Sequence, residues 1–205
     1  MIAEFGLAAL WLAAALAGLQ LFAGFVTLRG GDGLAGLTRP AAVLQGVLTA
    51  LSFAALTLLF VQTDLSVKLV AANSHSAKPF IYKLAGTWGN HEGSMLLWVA
   101  VMAGMGALIA LLERRLPERT IIATLATQAF VALGFYAFLL IASNPFERLP
   151  QAVAEGVGLN PLLQDIGLAF HPPTLYLGYV GLSLAFSFAV GALLTDQVGP
   201  TFAKV

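Results

Sequence analysis

The chain has 205 residues, 59% of them hydrophobic and 10% charged, with ten acidic side chains balanced by ten lysines and arginines. Its mean hydropathy is +0.88, more apolar surface than a soluble domain of this size can hide. Several runs reach the roughly 20 apolar residues that cross a bilayer core, so the fold class is all-α, a polytopic membrane protein. The short alternating segments of a transmembrane β-barrel are not seen. The chain has no cysteine, which excludes disulfides, thiolate metal sites and thiol catalysis. Nothing in the zero net charge asks for a nucleic-acid partner; the partner that composition implies is membrane lipid.

Residues 2–28 form the first apolar run, interrupted only by Glu4 and Gln20. No lysine or arginine precedes it, and it exceeds the roughly 7–15 apolar residues of a signal peptide, so a retained membrane helix is expected. Arg29-Gly30-Gly31-Asp32-Gly33 and Arg39-Pro40 make a short loop, and a second helix is predicted over 41–61. The connection over 62–92 is long and carries His75, His91, Lys68, Lys78 and Lys83. Within it, 64–72 suits a short helix and 76–82 reads as irregular. A third helix is predicted over 94–112, with Trp88 and Trp98 straddling its start as interfacial aromatics.

Trp88-Gly89-Asn90-His91-Glu92-Gly93-Ser94 packs many small and polar groups into that helix entry. Two readings stand side by side. In one, Ser94 or Asn90 caps the helix and Glu92 complements its positive end. In the other, the glycines let a flat ligand approach the backbone, and His91 and Glu92 touch its polar groups. The His-Glu pair alone does not make a zinc site, because no second histidine follows at helical spacing.

Glu113-Arg114-Arg115-Leu116-Pro117-Glu118-Arg119 is a charged turn with three arginines in seven residues. By the positive-inside rule it faces the cytoplasm. A fourth helix is predicted over 120–142. Parity then places the N-terminus, all three histidines and the two longer loops outside. The cytoplasmic side would hold Arg29, Arg39, Arg114, Arg115, Arg119 and Lys204, and the outer side Lys68, Lys78, Lys83 and Arg148.

The second outer loop covers 143–170. Asn144-Pro145-Phe146 ends the fourth helix, 156–161 is a turn, and 162–168 suits a short piece lying along the membrane surface. His171-Pro172-Pro173 follows. Proline is tolerated in the first turn of a helix, so the fifth helix is predicted to start at the prolines and run to Leu194. His171 would then stand at its mouth, where an imidazole can ligate iron or pass a proton, or simply cap the helix and meet headgroups. Tyr176 and Tyr179 occupy adjacent turns, as an interfacial belt would place them. No charge sits mid-helix, which argues against an ion path through these five helices.

Two stretches together resemble the CcmF family, the membrane subunit of the cytochrome c maturation haem lyase, and its relative in the nitrite-reductase system. They are Trp88-Gly89-Asn90-His91-Glu92-Gly93-Ser94-Met95-Leu96-Leu97-Trp98, and Gly158-Leu159-Asn160-Pro161-Leu162-Leu163-Gln164-Asp165 continuing through His171-Pro172-Pro173 to Gly178-Tyr179-Val180-Gly181. The resemblance covers the whole chain and implies the N-terminal part of a larger subunit, with 1–205 as one transmembrane region. It implies cytochrome c-type biogenesis at the cell inner membrane, with haem b as cofactor, and haem passing at the periplasmic face from a CcmE-type chaperone to apocytochrome c beside CcmH-type subunits. It maps His171 onto the first of two outer axial ligands to the haem iron. Trp88, His91, Glu92 and Tyr176 become candidate haem surroundings, and His75 maps onto nothing. The family's tryptophan-rich Trp-Trp-Asp segment, its second outer histidine and its membrane histidine pair are missing from this sequence. A split, truncated or partial gene is therefore expected. No catalytic residue is assigned, and lyase activity by the chain alone is not expected. The alternatives are a scaffold without haem contact, which would bind partner helices through glycines such as Gly178 and Gly181, and a transporter segment.

Overall fold

A computed structural model describes residues 1–199, except the side chains of Asp32 and Leu168. Seven α-helices account for most of it: α1 (Ile2–Leu28), α2 (Thr38–Gln62), α3 (Lys68–Asn73), α4 (Phe80–Gly86), α5 (His91–Leu112), α6 (Glu118–Ile141) and α7 (Ile166–Leu194). Short 3-10 turns over Asp32–Leu37 and Pro161–Leu163 precede α2 and α7. No strand occurs among the described residues; a single antiparallel bridge joins Val67 to Arg148. Five helices are long and apolar enough to span a membrane: α1, α2 with its leading turn, α5, α6 and the part of α7 from Ala169.

The bundle is built on neutral small and amide side chains rather than on charge. α1 lies against α2 and α6, α5 packs on α2, and α6 carries α7. At the closest approaches a side chain would collide. A Cβ on Gly24 would lie 2.5 Å from the Ala126 methyl, one on Gly46 3.1 Å from the Ala103 carbonyl, and one on Gly191 2.3 Å from Thr124 Oγ1. Small residues at such crossings let helix backbones approach where lipid supplies no hydrophobic drive. The helices are also cross-linked by polar groups, which have no water partner in a bilayer. Gln128 on α6 donates to the Met102 carbonyl of α5 (3.3 Å) and to Ser183 Oγ of α7 (3.1 Å), and accepts from Ser187 Oγ (2.6 Å). Tyr136 on α6 meets Thr49 Oγ1 (2.5 Å) and Gln45 (3.3 Å) of α2, and Gln20 of α1 donates to the Leu125 carbonyl (2.5 Å).

The two ends of the bundle are closed differently. At the α5–α6 turn, Arg39 grips Glu118 with Nε (2.9 Å) and Nη2 (2.7 Å), while its Nη1 caps the Ala110 and Glu113 carbonyls at the end of α5. Arg119 donates to the Leu28 carbonyl at the end of α1 (2.7 Å). Two of the arginines that set the sequence-based orientation therefore also satisfy helix C-termini, as basic side chains do. At the opposite end the two long loops zip together: Lys68 N–H donates to Glu147 O, Leu149 N–H to Ser66 O, and Val157 N–H to Ala71 O, all at 2.8–2.9 Å. Phe146, 3% exposed, plugs this end against Gly6 of α1.

Several sequence expectations shift. Residues 80–82 open α4 rather than extending an irregular stretch, and α5 begins at His91 rather than Ser94. Residues 162–165 stay close to a 3-10 turn, and 166–168 already belong to α7 rather than to a separate surface piece. Gly178 has no atom within 4 Å of its would-be Cβ and Gly181 only Met105 Cε at 3.9 Å, so the chain's own described helices leave both uncovered on α7, as the scaffold reading with partner helices requires.

Candidate functional site

The fifth span does not begin at its prolines. α7 starts at Ile166, where the Ala169 N–H donates to the Asp165 carbonyl (2.9 Å), and Pro172 and Pro173 lie inside the helix. The chain is steered into it by Asn160, whose Oδ1 accepts the Leu162 N–H (3.0 Å), and by Gln164, which donates to the Leu159 carbonyl (2.9 Å). A proline inside a helix withholds the donor due to the carbonyl four residues back. Pro173 thus leaves the Ala169 carbonyl without its helical partner, and Ala169 is 1% exposed. The Trp88 indole N–H donates to that carbonyl at 3.0 Å. The proline of one motif creates the acceptor, and the tryptophan of the other fills it.

The stretch around Trp88 is held by its own hydrogen bonds. Asn90 caps α5: its Oδ1 accepts the Gly93 N–H (2.7 Å) and its Nδ2 donates to the Gly86 carbonyl (2.6 Å). Ser94 Oγ donates back to the Trp88 carbonyl (2.7 Å). A Cβ on Gly93 would sit 1.6 Å from the Thr87 carbonyl oxygen, so glycine there permits a backbone contact. Of the two readings of this motif, the cap accounts for Asn90, Gly93 and Ser94.

Trp98, on the third turn of α5, is the hub that ties this end together. Its ring centroid lies 5.5 Å from Tyr176, 5.9 Å from Tyr179 and 5.7 Å from Phe135, the last stacked. Trp88, Trp98 and Tyr176, each half-buried, therefore converge on the first turns of α7. His91 turns the other way: its Nδ1 is 3.1 Å from Ser143 Oγ and its ring meets Phe138 edge-on. Glu92 lies on the first turn of α5, half-buried.

His171 lies inside α7, five residues past its start, and its imidazole is exposed. No hydrogen-bond or ion-pair partner of the imidazole is seen among the described residues, and Thr174 Oγ1 bonds to the His171 backbone carbonyl instead (2.9 Å). Along the same face, Leu175, Gly178 and Leu182 are also exposed. α7 is the least buried of the five spans. Among the described residues no three His, Cys, Asp or Glu side chains cluster to hold a metal. What the arrangement offers is one open imidazole on an uncovered helix face, while ordered aromatics hold other residues of the same helix.

The loops at this end carry the remaining charge. Arg148 joins Glu4 (2.8 Å) and Asp64 (3.4 Å), and Lys68 pairs with Glu147 (3.0 Å). Glu155 is held at about 2, well below the usual carboxylate value, by the Ser76 hydroxyl first and then the Gly156 and Ser76 N–H groups. Burial brings Lys78 down to about 8, with the nearby Lys83 charge adding to the shift.

These features define an all-helical, multi-pass membrane protein whose organised end joins the α5 entry to the proline-bearing span. The cytochrome c assembly protein family model matches residues 88–203, more than half of the chain, and the chain belongs to that family. It is 52% identical over 205 residues to the cytochrome c-type biogenesis protein CycK of Rhizobium meliloti, covering all of this chain and 30% of that one. It is 46% identical over 206 residues to the cytochrome c-type biogenesis protein CcmF of Pseudomonas aeruginosa, again all of this chain and 31% of the relative. A solved structure described as the cytochrome c haem lyase CcmF superposes with a TM-score of 0.84 at 26% identity, over 98% of this chain and 32% of that one. The chain thus spans about a third of the length of these relatives.

Proposed function

We propose that this chain is the N-terminal, haem-receiving part of a haem lyase membrane subunit in the inner membrane, with His171 as one axial ligand to haem iron on the non-cytosolic side. The observation that carries this reading is the state of His171: exposed, without a side-chain partner among the described residues, and set two residues beyond the ordered Trp88–Ala169 junction, on the opposite face of α7. An imidazole already engaged in a cap would need to break that bond to bind iron; this one has none to break. Haem, when bound, supplies the vinyl groups that become thioether links to apocytochrome c. The chain's own residues hold the imidazole on a helix whose register Trp88, Trp98 and Tyr176 fix. The open face of α7 supports a second ligand arriving from outside the described residues, and family membership supports a CcmE-type haem donor and CcmH-type partners.

The orientation rests on the arginine-rich α5–α6 turn as the cytosolic end, six basic residues against four. Replacing His171 with Ala in cells that supply the remaining maturation components is expected to abolish holocytochrome c, while the protein still inserts. Normal holocytochrome levels would refute the ligand role. They would favour the scaffold reading, for which the uncovered α7 face is the supporting observation.

A further inference from the structure

Between the two long loops lies a cleft of about 470 Å³, lined by His75, Lys78 and Pro79 from the first loop and by Leu159, Asn160 and Pro161 from the second. Its size falls within the usual range for small-molecule sites, roughly 300–1,000 Å³. Lys78 is only 9% exposed, and burying an ammonium without an anion is costly. Nevertheless Lys78 makes no ion pair among the described residues. One of its three donors goes to the Asn73 carbonyl (2.8 Å), and Lys83 adds a second positive charge nearby. The neighbouring carboxylate, Glu155, faces His75 at 3.9 Å and is taken up by Ser76 and the Gly156 N–H. The cleft walls are fixed independently: the Gly158 N–H donates to the Ser74 carbonyl (3.1 Å), and a Cβ on Gly156 would lie 2.1 Å from that oxygen. A buried cation lacking a counter-ion, beside a rigid apolar wall, is what recognition of a carboxylate on an apolar framework requires.

We propose that the Lys78 cleft is a carboxylate-binding subsite for an amphiphilic organic acid, and that this acid is the propionate edge of a porphyrin. The porphyrin assignment rests on the haem-handling reading above. The subsite itself stands on Lys78 and the cleft.

The test is equilibrium binding of metal-free mesoporphyrin IX, followed by its fluorescence, to the chain in non-ionic detergent at neutral pH. Without iron, the readout does not depend on axial ligation, so failure here and failure of the His171 assignment are separable. Lys78→Gln is expected to weaken mesoporphyrin binding about tenfold or more, Lys78→Arg to retain most of it, and mesoporphyrin dimethyl ester to bind wild type no better than it binds Lys78→Gln. Equal affinity of wild type and Lys78→Gln for the free acid, or equal affinity of wild type for acid and ester, would overturn the proposal. Displacement of the porphyrin by equimolar laurate, in wild type but not in Lys78→Gln, would reassign the cleft to a lipid acid and overturn the porphyrin assignment.

Discussion

The Trp88–Ala169 bond gives the most specific test of how the two motifs are joined. Replacing Trp88 with Phe keeps an aromatic ring but removes the indole N–H, stranding a carbonyl in a residue 1% exposed. A buried acceptor left unsatisfied costs about 1–3 kcal/mol. The same acceptor is orphaned only because residue 173 is proline. In a Pro173→Ala background the residue 173 N–H is available to the Ala169 carbonyl, and Trp88→Phe is then expected to cost about 1 kcal/mol less. Unfolding the purified protein by titration of sodium dodecyl sulfate into mild detergent measures all four corners of this double-mutant cycle. Equal cost of Trp88→Phe in both backgrounds would refute the link between proline and tryptophan.

Other expectations follow from single contacts. Gly93→Ala forces a methyl onto the Thr87 carbonyl and should destabilise by about 3 kcal/mol or more, whereas Gly178→Ala, in open space, should be neutral or slightly stabilising in the same unfolding assay. Arg39→Ala strands Glu118 and the Ala110 and Glu113 carbonyls and is expected to cost about 2 kcal/mol, while Glu118→Gln, on an exposed partner, should cost below about 1 kcal/mol. Glu155 titrates at about 2 in the folded chain against an ordinary 4.5, so its contribution is complete above the ordinary value and fades as pH falls toward the lower one. Hydrogen-exchange protection of the Ser76 N–H, corrected for intrinsic rates, should drop across that window in wild type and be low throughout in Glu155→Gln.

The five spans were legible because each is a long apolar run, and their existence depends on that alone. Helix entries were harder to read. At Pro172 and Pro173 the sequence rule that places proline in a first turn gave the wrong start. A contact from a residue 81 positions away makes a mid-helix proline tolerable, and no local pattern reports it. The signal available was relational: Ala169 lies four residues before Pro173, and a tryptophan elsewhere had an unassigned N–H. For Trp98 the sequence shows a ring near a helix entry and nothing of its neighbours. Its partners Phe135, Tyr176 and Tyr179 sit on two other helices, and only packing reveals a cluster. Asn90 as the α5 cap was within reach of sequence, because capping is local chemistry. Lys78 was visible only as a loop lysine, since burial between two loops has no signature in either one.

The most direct test of the role given to His171 is chemical rescue. His171→Gly, in a complex reconstituted with the remaining maturation components and haem, should lose the wild-type Soret and α/β bands and regain them when millimolar imidazole is added. Wild-type bands in His171→Gly without imidazole would contradict ligation of haem iron by this side chain.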